Sequence, residues 1–127
     1  MKFFVLPIVG FPLLFTLLFA LGCGNHEVAA PAPLAVEQLP AAIEKAFAKA
    51  KPAAKELATQ VITSVQAQDY SKAFLDLQTL AANPDLTKEQ SSVASSAMMT
   101  VNELLKTAVS KGDEKSAATI RNYQLTK

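Results

Sequence analysis

The sequence predicts an all-α fold: a small bundle of about four to five helices arranged as two antiparallel hairpins, set behind an apolar leader and a flexible tether. Three observations predict this. From Pro40 onward apolar residues recur every three or four positions, and no alternating strand pattern appears. Proline, glycine and capping residues divide that periodic stretch into pieces of helix length. Upstream, Lys2 is the only charged side chain before Glu27, and five of the seven phenylalanines lie among the first twenty residues. The chain therefore divides into a leader (residues 1–22), a tether (residues 23–39) and a helical domain (residues 40–127).

In the leader, Met1 and Lys2 form a short positive region, Phe3 to Leu21 a long apolar run, and Gly22 a small-residue exit, which is how an export signal is built. At about 19 residues the run is also long enough to cross a bilayer core, so an uncleaved anchor is the alternative. Pro7, Gly10 and Pro12 weaken a continuous helix without forbidding one in a membrane. The tether that follows is rich in alanine and proline and has no sustained period. Pro31 and Pro33 bias it toward an extended form with a reach of up to ~50 Å.

A short first helix begins at Pro40, a tolerated first-turn position, with Ile43, Phe47 and Ala50 on one face. Pro52 starts a second helix or kinks a continuous one, and Leu57, Val61 and Val65 repeat four apart. Asp69 breaks the pattern before a third helix carrying Ala73, Phe74, Leu77, Leu80 and Ala81. Asn83-Pro84 ends that helix, and Thr87 with Gln90 forms a capping box for the fourth, expected over 88–110. Gly112 and Asp113 then supply a stop and a new N-cap for a last, weakly apolar helix with Ala117, Ile120 and Tyr123, which is expected to fray. About a fifth of the chain after Cys23 is alanine, so the apolar area available for burial is small and marginal stability is expected.

The stretch Ala20-Leu21-Gly22-Cys23 resembles the lipobox of bacterial lipoproteins, departing from the family's preferred Leu and small residue at Ala20 and Leu21. The resemblance implies cleavage behind Gly22 and lipidation of Cys23, which would become the mature N-terminus. A cysteine thiolate is the strongly nucleophilic group that this chemistry needs. Two or three acyl chains, palmitate among them, hold a protein on a membrane durably, whereas one is marginal. Gly24 stands where some lipoproteins carry an inner-membrane retention aspartate, so in an organism with two membranes the resemblance favours the outer one, facing the periplasm.

Sliding the chain 44 positions along itself pairs Leu57 with Val101, Val61 with Leu105, Val65 with Val109, Asp69 with Asp113 and Ala73 with Ala117. Two readings stay open, a true repeat of helical hairpins (residues 53–82 and 88–126) or the spacing that any two capped amphipathic helices share. Within the echo, Gln68 to Ala73 and Gly112 to Ala117 are similar to the turn signature of tetratricopeptide-like hairpins, with Gln68 replacing the family's glycine and Glu114 its tyrosine. By that resemblance, such hairpins bind peptides or proteins in a groove.

Chemistry is sparse. The formal net charge of +1 gives no basic patch for nucleic acid. The single cysteine allows no intramolecular disulfide and no cysteine-based metal site, and His26 has no second histidine beside it. No phosphate-binding glycine loop, nucleophile elbow or zinc-protease motif occurs. The sequence thus predicts no catalytic residue, no metal and no cofactor. Tyr70, Phe74, Met98 and Met99 are the candidate binding face, because aromatics and paired methionines beside small residues form adaptable surfaces. Core filling is the competing role for each. The expected function is that of a lipid-anchored envelope protein acting as a non-catalytic scaffold or adaptor for another envelope protein. The alternative is a self-associating structural component with no distinct partner.

Overall fold

The structure, a computed structural model, describes residues 30–127, so the leader, Gly22, Cys23 and the first part of the tether lie outside the described residues. Five α-helices follow a short 3₁₀ turn at Val36–Gln38: α1 (Leu39–Phe47), α2 (Pro52–Gln66), α3 (Tyr70–Ala81), α4 (Lys88–Ser110) and α5 (Glu114–Leu125). No strand occurs among the described residues. The protein is an all-α bundle.

Local chemistry sets each boundary. Lys51 is extended at ψ 150°, as a residue before proline is pushed to be, and Pro52 opens α2. The chain therefore breaks between α1 and α2, with four residues out of helix. Asp69 caps α3 by accepting the Lys72 N–H at 3.1 Å, and Asp113 caps α5 by accepting that of Lys115 at 3.2 Å. The capping box of α4 is complete: the Gln90 N–H donates to Thr87 Oγ1 at 3.2 Å, and the Thr87 N–H donates to Gln90 Oε1 at 3.0 Å. Gln90 is also buried, and its Nε2 donates to the Ala46 carbonyl at 3.3 Å, which fastens the start of α4 to α1.

The α2–α3 and α4–α5 hairpins are joined through α3 against α4, and α1 packs on both α2 and α4. The first four helices thereby close into a ring, with α5 laid over α3 and α4. Contacts at the helix ends establish alternating directions. At one end Lys51 Nζ pairs with Asp85 at 2.8 Å, tying the α1–α2 linker to the α3–α4 loop. At the other end Lys115 Nζ pairs with Asp69 at 2.8 Å, tying the two hairpin turns together.

The core holds Leu39, Ile43 and Phe47 from α1, Val61 and Val65 from α2, Phe74, Leu77 and Leu80 from α3, and Val101 and Leu105 from α4. Ala54, Ala58, Ala73, Ala94 and Ala97 fill the remaining buried apolar positions, so close helix approach substitutes for bulk. α5 adds no fully buried apolar side chain. It is held by half-buried Ile120 and Tyr123, whose ring meets Phe74 edge-on at 5.2 Å between centroids and 88° between planes.

Packing on the bundle extends upstream of Pro40. Leu39 is fully buried, and Thr100 Oγ1 donates to the Leu34 carbonyl at 2.7 Å, so the last residues of the tether lie against α4. A proline- and alanine-rich composition gives no sign of this, because a single apolar residue and one carbonyl make the attachment.

Candidate functional site

The bundle separates the four side chains of the expected binding face, Tyr70, Phe74, Met98 and Met99. Phe74 is 3% exposed and serves the core. Met98 is half-buried against that core, whereas its neighbour Met99 is 41% exposed. Tyr70 opens α3 and is half-buried. It lines a surface groove of about 340 Å³ beside the two hairpin turns, and Phe74, Met98 and Met99 do not.

This groove is the candidate for recognition because Tyr70, a residue of the expected binding face, lines it. Gln68 and Tyr70 supply one wall, and Leu104, Thr107, Ala108 and Lys111 from the end of α4 supply the other. The turns that shape it are alike. Gln68 has φ 58° and Gly112 has φ 89°, so both chains turn through the left-handed region at positions 44 apart. The Gln68 N–H donates to the Val65 carbonyl and the Asp69 N–H to that of Ser64; the Gly112 N–H donates to Val109 and the Asp113 N–H to Ala108. Each pair is the hydrogen-bonding of a helix closed by a left-handed residue, in one register. Gln68 performs the role that glycine performs in the second copy. The echo pairs the two positions, which is the sequence signal for the left-handed geometry at Gln68.

The electrostatics of the two turns are also related. The Lys115 ammonium, donating to both carboxylate oxygens at 2.9 and 2.8 Å, holds Asp69 below the ordinary carboxylate range, and the Lys72 N–H adds to this. The Ser116 hydroxyl holds Asp113 below that range, with a smaller contribution from the Lys115 N–H. Both carboxylates are therefore committed to caps and to the junction between hairpins. The groove itself offers a phenol, a hydroxyl, an amide, an ammonium, the Asp113 carboxylate and apolar surface at Leu104 and Ala108. Such a lining combines polar and apolar groups on one concave surface.

Other grooves lie elsewhere on the bundle. One of about 320 Å³ runs between α1 and α2, with Phe47, Ala58 and Ile62 flanked by Glu44 and Lys55. Another of about 230 Å³ lies between α3 and α5, beside Tyr123 and the 54% exposed Leu75. Among the described residues no group of three or more His, Cys, Asp or Glu is placed to hold a metal ion, and no helix is long and apolar enough to cross a membrane. Comparison with protein-family models, with curated proteins and with solved structures finds no match to this chain.

Proposed function

We propose that the protein is a lipid-anchored component of the bacterial cell envelope whose helical bundle acts, without catalysis, as a binding adaptor for another envelope protein. The observation that carries this reading is the lone Cys23, placed directly behind Gly22 at the end of a positively started apolar run. A tether and an α-bundle follow it. On this reading the acyl chains supply membrane attachment at ~0.8 kcal/mol per buried methylene, so the bundle needs no apolar face of its own toward lipid. In an organism with two membranes, Gly24 favours the outer one, with the bundle in the periplasm.

The groove between the hairpin turns is the surface we assign to the partner, with Tyr70 as its aromatic anchor. In-cell crosslinking of the tagged protein, followed by purification from solubilised envelope and mass spectrometry, tests the adaptor role. One stoichiometric partner whose capture falls at least tenfold in Tyr70→Ala is the expected result. Self-crosslinks alone would favour the second reading, a self-associating structural component, to which the exposed Leu75 and the 82% exposed Leu125 lend a specific surface.

A further inference from the structure

The junction between tether and bundle is held in an unusual way. Residues 35–38 are exposed, and the 3₁₀ turn at Val36–Gln38 contributes no buried side chain. Upstream of Leu39 the segment is fixed at one polar point, the Leu34 carbonyl, which accepts the Thr100 hydroxyl at 2.7 Å; Leu34 itself is half-buried. Thr100 is 5% exposed, a position where an unpaired hydroxyl would be costly. Its oxygen also lies 3.2 Å from the Ser96 carbonyl, four residues back in its own helix. A hydroxyl carries one proton, so the shorter bond to Leu34 and the longer one to Ser96 compete for it. If the segment leaves, Thr100 turns back to Ser96 and no buried donor is orphaned.

We infer that residues 34–38 form a releasable strap, latched to α4 by the Thr100 hydroxyl and hinged at Leu39. Leu39 is fully buried and contacts the core, so it marks where release stops and unfolding of the bundle would begin. Opening exchanges one hydrogen bond for another, and the apolar surface it exposes is confined to the half-buried Leu34. Opening past Leu39 would uncover a leucine from a core whose members pack on one another. A pull on the upstream chain therefore lengthens the tether by the strap residues before it loads the bundle. The inference rests on the geometry at Thr100 and holds whether or not Cys23 is lipidated.

The test is amide hydrogen exchange by mass spectrometry on the full chain in detergent micelles, comparing the native protein with Thr100→Val and Thr100→Ser. Thr100→Val is nearly isosteric and removes the donor. It is expected to speed exchange at residues 35–38, read at the Gln38 N–H that bonds the Ala35 carbonyl, by less than the full factor of one net hydrogen bond because Thr100 re-pairs with Ser96 on opening, while leaving α2 and α3 protected as before. Thr100→Ser keeps the donor and is expected to restore native protection. Unchanged exchange at residues 35–38 in Thr100→Val would overturn the latch. An equal loss of protection throughout α1 to α4 would overturn it too, because Thr100 would then be a residue of the core and no strap would exist.

Discussion

At the scale of single residues, the two left-handed turns make opposite predictions at equivalent positions. Gln68 carries a Cβ at φ 58°, where a side chain costs about 1 kcal/mol or more relative to glycine. Gln68→Gly is therefore expected to stabilise the bundle by about 1 kcal/mol, raising the melting midpoint by about 4–8 °C for a domain of this size. Gly112 has φ 89° and nothing within 4 Å of an added Cβ, so Gly112→Ala is expected to destabilise by about 1 kcal/mol through backbone strain alone. Thermal melts followed by circular dichroism check both. Ser71 offers a third case: its Oγ is buried without a hydrogen-bond partner among the described residues. Ser71→Ala removes that unsatisfied group and is expected to leave the midpoint unchanged or raise it, a denaturant titration being the measurement.

At the scale of elements, the hairpins are joined through Asp69, which caps α3 and pairs with Lys115 of α5. Asp69 and Asp113 both hold their protons less tightly in the folded chain than in the unfolded one. The unfolded state therefore binds more protons as pH falls, so the stabilisation is fully present above the ordinary aspartate value of about 3.9 and is lost below it. Stability is expected to be level in this contribution between pH 7 and 5 and to fall below about pH 4. Asp69→Asn retains a capping side chain but loses the ion pair, and is expected to flatten part of that fall in urea titrations run across pH. Because the pair is largely exposed, its removal at pH 7 is expected to cost little.

Most of the elements were legible in the sequence because their boundaries are written in local chemistry. Pro52, Asp69, Thr87 with Gln90, and Asp113 each start a helix where the capping pattern places it, and α4 occupies 88–110 as the periodicity requires. α1 starts one residue before Pro40, within the ordinary variation of a helix end. What the sequence did not reveal depends on contacts between distant residues. The hydrogen bonds from Thr100 to Leu34 and from Gln90 to Ala46, and the pairing of Lys115 with Asp69, each span more than forty positions. Of the four residues of the candidate face, Tyr70 alone lines the groove beside the hairpin turns. Phe74 fills the core with Ala73, Leu77 and Leu80, the role its place in the periodic pattern of α3 indicates, and its ring also meets Tyr123 of α5.

At the scale of the whole molecule, five alanines share the core with only ten larger apolar side chains, so the bundle depends on close packing more than on buried bulk. Removing one large residue is then expected to be severe. Leu77→Ala, at a fully buried site on α3, is expected to cost about 2–5 kcal/mol, measured by urea denaturation. The proposed membrane attachment is assigned to the residues upstream of the bundle.

That attachment is the central claim, and intact mass spectrometry of the protein extracted from its native envelope tests it most directly. The account predicts a chain that begins at Cys23, heavier than its residues by a diacylglycerol and further acyl mass, and shifted to the unprocessed form in Cys23→Ala. A mass that retains residues 1–22 and carries no acyl chains would contradict it.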